Sequence, residues 1–470
     1  MNLADKLSRV FSACMLISLL ALCGCRGLVD GTTTPTPPVG DLKALNHIIF
    51  MAQENRSFDT YFGQLPAYWA ANGYPAQPSF NGIPVGASNP TFDGTGTVPA
   101  YHIATMCTEN LTPSWDESHL DWNLSAPTSS TPTLDGYVYN AAKFAMDSGF
   151  SDTAGLRAMG YYDGTDLPYY YFMASNFATS DMWFSPTMDR TQLNRMYMFA
   201  ATSQGYAYPP GTNQFDNAAL TAPTIFDALN NAGISWKIYT SDTNCGGGDT
   251  AFPCTYLTQF ANYAPPNALP ANVVPLDPNF AQDLAAGTLP SVALIEGGYN
   301  SGRDEHPDNN VQTGAQFVST LMNEFMSSPS WKDSAFILTY DEAGGLYDHV
   351  APQAAVSPDG IAPIDLLPGD ICTLNPGTTN CDFNITGYRV PLLVVSPFTK
   401  KNYVSHTVAD YTAILKLIET RFGLSALTNR DAAQMDMTEF FDFQNPPWVT
   451  PPSNIPAQPT TGICNAMVLQ

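Results

Sequence analysis

The stretch His47-Ile-Ile-Phe-Met-Ala-Gln-Glu-Asn-Arg-Ser-Phe-Asp59 changes abruptly from apolar to polar. Its first part, Ile48–Ala52, is short and rich in β-prone side chains, which predicts a buried strand. Polar groups that directly follow such a strand in an α/β sheet lie at the edge where ligands bind. Glu54 and Asn55 offer a carboxylate and an amide oxygen, which both suit a hard divalent cation. The competing interpretation is a plain helix start with Asn55 or Ser57 as N-cap.

Apolar runs and helical patterns alternate along the rest of the chain. Further strands are predicted at Ser235–Thr240, Val292–Ile295, Phe336–Tyr340 and Val390–Val395. Helices are predicted at Thr224–Ala232, Gly314–Met326 and Thr407–Phe422. Strands separated by helices indicate an α/β protein, here a three-layer α/β/α sandwich with a mostly parallel central sheet. Long segments rich in proline and glycine lie between the elements and predict loop insertions.

A second polar pair follows a predicted strand in the same way as the first. Asp341 and Glu342 come directly after Phe336–Tyr340. Because the carboxyl ends of parallel strands meet at one edge of a sheet, we expect this pair and Glu54 with Asn55 to enclose one cation site. Solvated acids at the starts of two loops are the alternative.

Several other residues are candidates for acid–base or phosphate chemistry. Three histidines have acidic neighbours in the sequence, which can orient an imidazole: His119, His306 and His349. Thr191 precedes Asn194 and Arg195, so a hydroxyl that opens a helix would face an anion together with an arginine. By spacing alone, an N-cap role for Thr191 is the commoner outcome.

The N-terminal residues predict export. Residues 1–24 combine a weakly positive start with an apolar run too short to span a membrane, and Cys25 follows in a lipobox-like context. We therefore predict a lipoprotein signal peptide over 1–24 and a lipid anchor at Cys25, with an ordinary secretory signal as the alternative. The protein would be membrane-anchored in the periplasm or on the cell surface, or secreted. Residues 25–42 are a Thr/Pro-rich tether, 43–444 the folded domain and 445–470 a Pro-rich tail.

The net charge restricts the kinds of partner that the protein can bind, and the cysteine count indicates the compartment in which it folds. The 470 residues carry a formal net charge of −24, which repels nucleic acid, so we expect no nucleic-acid partner and membrane contact only through the anchor. Outside residues 1–25 six cysteines remain, an even number that predicts disulfides in an exported chain. Local pairing is plausible for two pairs and leaves a third, although the connectivity stays open: Cys245–Cys254, Cys372–Cys381 and Cys107–Cys464.

Five segments, in this order, resemble a known family. They are Glu54–Asp59, Thr191–Arg195, Asp304–Pro307, Tyr340–Val350 and Gly387–Pro397. They resemble the bacterial and plant phosphoesterase family that contains non-specific phospholipase C and related acid phosphatases. The resemblance extends from about Asn46 to Leu424. It implies an alkaline-phosphatase-like fold and a metal-assisted phosphoester hydrolase.

The resemblance also implies roles for particular residues. The implied metal ligands are Glu54, Asn55, Asp341 and Glu342, and oxygen ligands favour calcium, magnesium or manganese. The implied catalytic residues are Thr191, as a nucleophile that forms a phospho-threonine, with His119, His306 and His349. Apart from the resemblance, Arg56, Arg190 and Arg195 are candidates to hold non-bridging phosphoryl oxygens, with structural ion pairs as the alternative. We predict substrate binding by Arg195 and Asn194. Leu193 stands where the family usually has proline, and the residues before Thr191 depart from the family pattern. Thr187 therefore remains an alternative nucleophile, although the register of Asn194 and Arg195 favours Thr191.

The substrate is less well defined than the chemistry. Phospholipids and phosphomonoesters both suit the implied mechanism, and the oligomeric state is open. One alternative is another hydrolase of the alkaline-phosphatase fold, such as a sulfatase or a phosphonate hydrolase. A sulfatase would need a cysteine or serine in a local maturation motif, and no cysteine lies near Thr191. The other alternative is a non-catalytic anchored binding protein.

Overall fold

The structure is a computed structural model that describes residues 41–210, 220–245, 253–264, 269–374 and 380–470. The predicted signal peptide, the anchor and most of the tether lie outside the described residues. The strands are β1 His47–Gln53, β2 Ser88–Pro90, β3 Thr97–Pro99, β4 Tyr101–His102, β5 Gly160–Tyr161, β6 Ala178–Ser180, β7 Trp183–Phe184, β8 Trp236–Thr240, β9 Val273–Pro275, β10 Val292–Glu296, β11 Ser334–Tyr340, β12 Leu393–Val395, β13 Tyr403–Ser405 and β14 Ala409–Asp410.

The helices lie mainly between these strands. The α-helices are α1 Phe58–Phe62, α2 Leu65–Asn72, α3 Trp115–Trp122, α4 Tyr137–Ser148, α5 Pro168–Asn176, α6 Thr191–Ala200, α7 Ile225–Ala232, α8 Leu276–Ala286, α9 Val311–Met326, α10 Ile371–Leu374, α11 Ala413–Phe422 and α12 Asn429–Ala432. Short 3₁₀ helices occur at Leu42–Ala44, Leu156–Met159, Tyr256–Gln259, Pro329–Asp333 and Thr438–Phe440. None of the helices within the described ranges is both long and apolar enough to cross a bilayer.

An eight-stranded sheet with β1 near its centre organises the domain, in the order β13-β6-β12-β11-β1-β10-β8-β9. Strand β1 is parallel to both of its neighbours, β10 and β11. Strand β12 runs antiparallel to β11 and to β6. The side chains from Ile48 to Ala52 are all fully buried. Because successive side chains of a strand point to opposite faces, both faces of β1 are covered. The predicted α/β fold with a mostly parallel central sheet is confirmed.

The last predicted helix begins later than its apolar pattern indicates. The pattern covers Thr407–Phe422, whereas α11 begins only at Ala413. Strand β14 occupies part of the difference and pairs in parallel with β7. Val408, which the pattern assigned to the apolar face of the helix, is 43% exposed. The prediction of this helix start was wrong, because pairing with a strand distant in sequence overrides local periodicity.

The three predicted disulfides are present: Cys107–Cys464, Cys245–Cys254 and Cys372–Cys381. The first joins the C-terminal tail to the body of the domain. Residues 445–470 contain no helix or strand, but they are held by specific contacts. The indole of Trp331 donates to the carbonyl of Trp448 at 3.0 Å, and the amide of Gly462 donates to Gln312 Oε1 at 2.9 Å.

Candidate active site

The two polar pairs predicted to form one site lie side by side. Gln53, the last residue of β1, pairs with Tyr340, the last residue of β11, so the residues that follow leave the sheet together. The amide N–H of Asn55 donates to Asp341 Oδ1 at 3.0 Å, and the side-chain amide of Asn55 donates to Glu342 Oε1. The strand register therefore brings four potential ligands to one edge of the sheet.

The oxygens of this cluster suit a divalent cation. Asn55 Oδ1 and Asp341 Oδ2 are both buried, and neither has a hydrogen-bond donor among the described residues. Burial raises the pKa of Asp341 well above its usual value, and neighbouring Glu54 raises it further. Burial and the charge of Asp341 do the same for Glu342. A cation would satisfy the two oxygens and offset the repulsion among the carboxylates. The residues present therefore fit a bound metal ion.

Thr191 is the first residue of α6, and its hydroxyl lies at the cluster. Its Oγ1 donates to Glu54 Oε2 at 3.2 Å. The first turn of an α-helix leaves backbone N–H groups without intrahelical partners, which favours an anion at this position. Thr187 precedes the helix, and its backbone N–H donates to Asn194 Oδ1 at 3.1 Å. The geometry therefore favours Thr191 over Thr187 as a nucleophile, and this assignment stays a prediction.

Arg195 is buried among the acidic side chains of the site. Its guanidinium lies 2.7 Å from Glu54 Oε1, 3.6 Å from Asp341 Oδ2 and 3.8 Å from Glu296 Oε2. It also lies over the ring of Tyr256, 5.3 Å from the centroid. Its positive charge is thus directed at carboxylates of the protein, so its contacts favour charge balance within the site. The predicted contact of Arg195 with substrate stays a prediction.

Asn194 shapes the loop that leads into α6. Its side-chain amide donates to the carbonyl of Asp189 at 2.7 Å and accepts from the N–H of Thr187. These contacts fix the backbone before Thr191, and Asn194 itself is fully buried. The structure therefore places Asn194 where it supports the backbone beside Thr191, the nucleophile candidate, while the substrate contact predicted for Asn194 stays untested.

His306 is the histidine that reaches the cluster. Its Nε2 lies 3.7 Å from Glu54 Oε2, and its Nδ1 lies 2.8 Å from Asp304 Oδ2. Burial lowers the pKa of His306, but the charge of Glu54 and the hydrogen bond to Asp304 outweigh it and raise this pKa to about 9. A protonated imidazole is therefore favoured at neutral pH, which suits a general acid.

A buried carboxylate holds the backbone that presents His306. Glu305 accepts hydrogen bonds from the hydroxyls of Tyr61 at 2.7 Å, Tyr170 at 2.6 Å and Tyr340 at 2.8 Å. Its backbone has a φ of 72°, a left-handed conformation that is uncommon for a residue with a side chain. The three tyrosines offset the cost of this conformation and of the buried charge. By holding Glu305, they fix the backbone from which the side chain of His306 extends towards the carboxylate cluster.

His119 lies in a different environment. It is fully buried in α3, with Nδ1 2.6 Å from the carbonyl of Trp115 and Nε2 2.7 Å from the carbonyl of Asn380. Burial lowers its pKa. Both ring nitrogens thus face backbone carbonyls, and its described hydrogen bonds do not reach Thr191. The catalytic role predicted for His119 stays a prediction that these contacts do not support.

His349 belongs to a neighbouring cluster of charged groups. Its Nδ1 lies 2.7 Å from Asp59 Oδ2, and its Nε2 lies 2.9 Å from Asn81 Oδ1. Arg389 pairs with Asp59 at 2.9 Å and with Asp348 at 2.8 Å. The described contacts of His349 are therefore with this cluster rather than with the carboxylates around Thr191. Its predicted catalytic role stays untested.

Glu296 lies at the site, although no role was predicted for it. It ends β10, directly after an apolar run as Glu54 does, and accepts from the hydroxyl of Thr255 at 3.1 Å, beside Arg195. Arg190, one of the three arginines predicted as phosphate ligands, is the N-cap residue of α6, is exposed and lies next to the nucleophile candidate. Arg56, another of the three, donates to the carbonyl of Glu305 at 2.6 Å.

Replacing Gly344 by alanine is expected to disturb the site. Gly344 has a φ of 70°, and a Cβ there would lie 2.7 Å from Asn55 Cβ and 2.8 Å from the Asn55 carbonyl oxygen. The shift of Asn55 should lower kcat/KM about 100-fold, as small misplacements of reacting groups do. Steady-state kinetics measures this loss.

Gly345→Ala is the matched control for this prediction. Gly345 has a similar φ of 72°, but a Cβ there would meet Leu111 at 3.3 Å and no residue of the site. Both variants should lose about 1–2 kcal/mol of folding free energy through the left-handed backbone. Equal activity of the two variants would contradict the role given to the contact between Gly344 and Asn55.

Comparison with known proteins shows to which family the chain belongs. A sequence profile of the Phosphoesterase family matches residues 45–425. Phospholipase C B of Mycobacterium tuberculosis is 31% identical over 450 residues, which cover 87% of this chain and 80% of that protein. Non-specific phospholipase C5 of Arabidopsis thaliana is 27% identical over 389 residues, covering 76% of this chain and 65% of its own. An alkaline phosphatase superfamily protein of Vibrio parahaemolyticus is 14% identical, with a TM-score of 0.33 over 79% of this chain and 78% of its own, and this weak likeness carries no argument. The chain, matched over most of its length, belongs to the phosphoesterase family and is a phosphoric ester hydrolase.

Proposed function

We propose that the protein is a metal-assisted hydrolase of the phospholipase C type that acts through a phospho-threonine at Thr191. The observation that carries the proposal is the hydrogen bond of 3.2 Å from Thr191 Oγ1 to Glu54, inside a carboxylate cluster at the sheet edge. The relatives named phospholipase C support a phosphodiester of a phospholipid as substrate. Phosphomonoesters remain the alternative substrate.

Four residues would hold the metal ion: Glu54, Asn55, Asp341 and Glu342. Their carboxylate and amide oxygens favour calcium, magnesium or manganese. When bound, the cation would favour the ionised form of the Thr191 hydroxyl and neutralise charge on the phosphoryl group. Arg195 and Glu296 would complete the charge balance from the other side of the cluster.

In the proposed reaction Thr191 is the nucleophile and His306 is the general acid and base. The Thr191 hydroxyl gives its proton to Glu54, the carboxylate that accepts its hydrogen bond. Its Oγ1 attacks phosphorus in line with the leaving alcohol, so that an O–P bond forms and the bond from phosphorus to the alcohol oxygen breaks. His306, held by Asp304, gives its proton to the leaving oxygen. The neutral imidazole then takes a proton from water as that water attacks the phospho-threonine. This second step breaks the bond from phosphorus to Thr191 Oγ1 and returns the proton of Glu54 to that oxygen. It releases the phosphorylated head group, or phosphate when the substrate is a phosphomonoester.

Substrate assays test this function. The full chain should hydrolyse p-nitrophenyl phosphorylcholine and phosphatidylcholine, with lower activity on p-nitrophenyl phosphate. Preference for p-nitrophenyl phosphate would indicate a phosphomonoesterase, and preference for p-nitrophenyl sulfate would indicate a sulfatase. Absence of all three activities would support an anchored binding protein. The signal peptide and the lipid anchor at Cys25 remain part of the proposal.

Arg190→Ala should weaken substrate binding. Arg190 is exposed, and its guanidinium forms no ion pair within the described part of the chain, unlike buried Arg195. Because it directly precedes Thr191, it is free to bind a non-bridging phosphoryl oxygen. Loss of a charge-assisted hydrogen bond should raise KM about tenfold or more.

Lys332→Ala is the control for the Arg190 variant. It also removes one exposed positive charge, but Lys332 lies before the start of β11, at the opposite edge of the sheet. Its KM should match that of the unaltered protein in steady-state kinetics. An equal rise of KM in both variants would show that overall charge, and not a contact of Arg190, causes the effect.

A further inference from the structure

One loop exposes an unusual set of aliphatic side chains. We call residues 352–374 the aliphatic loop. Its most exposed large apolar side chains are Val356 at 47%, Ile364 at 59%, Leu367 at 61% and Leu374 at 69%. Loops that face water normally carry polar side chains at such positions. A contiguous apolar surface on a soluble domain commonly marks an interaction site.

Two acidic residues of the same loop accept hydrogen bonds from the rest of the protein. Asp359 accepts from the hydroxyl of Thr202 at 2.6 Å, and Asp365 accepts from the amides of Ala207 at 2.8 Å and Tyr208 at 3.1 Å. Both carboxylates are thus bound to the protein, although Asp359 is also exposed, and the large aliphatic side chains are exposed beside them.

Several contacts fix the aliphatic loop to the rest of the domain. The amide of Ile364 donates to the carbonyl of Gly205 at 2.9 Å. A Cβ built on Gly205 would meet both Ile361 and Ile364, so these two side chains are neighbours. The disulfide Cys372–Cys381 closes the far end of the loop. A fixed apolar surface loses little conformational entropy when it binds a partner.

The aliphatic loop is tied to the segment that leads to Thr191. The guanidinium of Arg430 donates to the carbonyl of Val356 at 2.8 Å and also to the carbonyl of Pro186, shortly before Thr191. The apolar surface and the nucleophile candidate are therefore connected through short contacts.

We propose that the aliphatic loop docks on the surface of a zwitterionic phospholipid layer and presents lipid head groups to Thr191. This inference rests on the proposed phospholipase C function and adds a second membrane contact to the predicted anchor. The loop contains no lysine or arginine, and the chain has a net charge of −24. Electrostatic attraction to anionic lipids is therefore absent from this surface, and binding relies on buried apolar area.

A triple variant tests the docking surface: Ile364→Ser, Leu367→Ser and Leu374→Ser. Its kcat/KM should fall at least about tenfold on phosphatidylcholine vesicles and less than about twofold on soluble p-nitrophenyl phosphorylcholine. The matched control changes three exposed apolar residues of the C-terminal tail, Val449→Ser, Ile463→Ser and Met467→Ser, which are 72%, 65% and 76% exposed. It should keep both activities. All three proteins carry the same N-terminus, so any anchor contributes equally.

Three results would overturn the docking proposal. Equal losses of the triple variant on vesicles and on the soluble substrate would give the loop a structural role only. Unchanged activity on vesicles would show that the loop does not touch lipid. A change from dimer to monomer on removal of the aliphatic groups, measured by size-exclusion chromatography with light scattering, would assign the surface to a second copy of the chain.

A spectroscopic test separates this proposal from the proposed function. In Leu367→Trp, the tryptophan emission should shift to shorter wavelength when phosphatidylcholine vesicles are added. Val449→Trp, on the tail, should show no such shift. If the protein hydrolyses neither substrate but Leu367→Trp still shifts, the proposed function fails and the docking stands. Absence of the shift in an active protein would refute the docking alone.

Discussion

Replacing Thr191 with alanine is expected to lower kcat at least about 1,000-fold while the fold is retained, because the variant has no hydroxyl to attack phosphorus. The hydroxyl lies 3.2 Å from Glu54, and α6 begins at Thr191, so the hydroxyl is held beside the proposed metal ligands. Turnover of p-nitrophenyl phosphorylcholine measures the loss. Rapid acid quenching of the unaltered protein during this turnover, followed by mass spectrometry, should find a phosphorylcholine group on Thr191.

Two further variants sharpen this experiment. Thr191→Ser keeps a hydroxyl and should retain measurable turnover. Thr187→Ala removes the alternative nucleophile, whose backbone and not its hydroxyl is tied to Asn194, and should lower kcat less than about tenfold. A phosphorylated Thr187, or full activity of Thr191→Ala, would move the nucleophile away from Thr191.

Asp341→Asn should lower both metal content and activity. Asp341 Oδ2 is a buried oxygen without a described hydrogen-bond donor, so an amide NH₂ at this place would oppose a cation. Charge stabilisation by a metal ion is worth several kcal/mol, so kcat should fall at least about 100-fold. Chelation of the unaltered protein should give a similar loss. Separate addition of calcium, magnesium and manganese should show which ion restores activity.

Asp333→Asn is the control for the metal prediction. Asp333 lies just before β11, at the opposite end from Asp341, and accepts from the side-chain amide of Asn46 at 2.8 Å. Elemental analysis should find unchanged metal content in this variant and reduced content in Asp341→Asn. A metal-free preparation of the unaltered protein with an undiminished rate would rule out the cation site.

The sequence was most informative where strands end. Glu54, Asn55, Asp341 and Glu342 were found because each pair follows a strongly apolar run, and parallel pairing then requires the ends to meet. This inference needs only local pattern and one rule of sheet geometry. Short separations made the pairs Cys245–Cys254 and Cys372–Cys381 plausible and left Cys107 with Cys464, but the connectivity stayed open until the structure placed the three bonds.

The histidines show where sequence reasoning stops. Three of them have acidic neighbours along the chain, yet only His306 contacts a residue of the carboxylate cluster within the described structure. The direction of a loop side chain depends on distant groups, here the three tyrosines that bind Glu305. Likewise, no local sequence pattern distinguishes Arg195, which is buried among carboxylates, from Arg190, which is exposed. Such assignments come from packing between segments that are far apart in sequence.

The position of β1 has a consequence for how the protein reaches its native state. Among the strands of the described residues it is synthesised first, yet its partners β10 and β11 come late in the chain. Pairing between such distant segments requires long loops to close before contacts compensate for the lost entropy, which makes folding slow. The proposed metal site needs Glu54 and Asn55 from the start of the domain together with Asp341 and Glu342 from much later in the chain. It therefore forms only after β11 has been synthesised and has paired with β1. Tight metal binding would therefore report that the central sheet has closed, and a pulse of metal during refolding could be used to time that event.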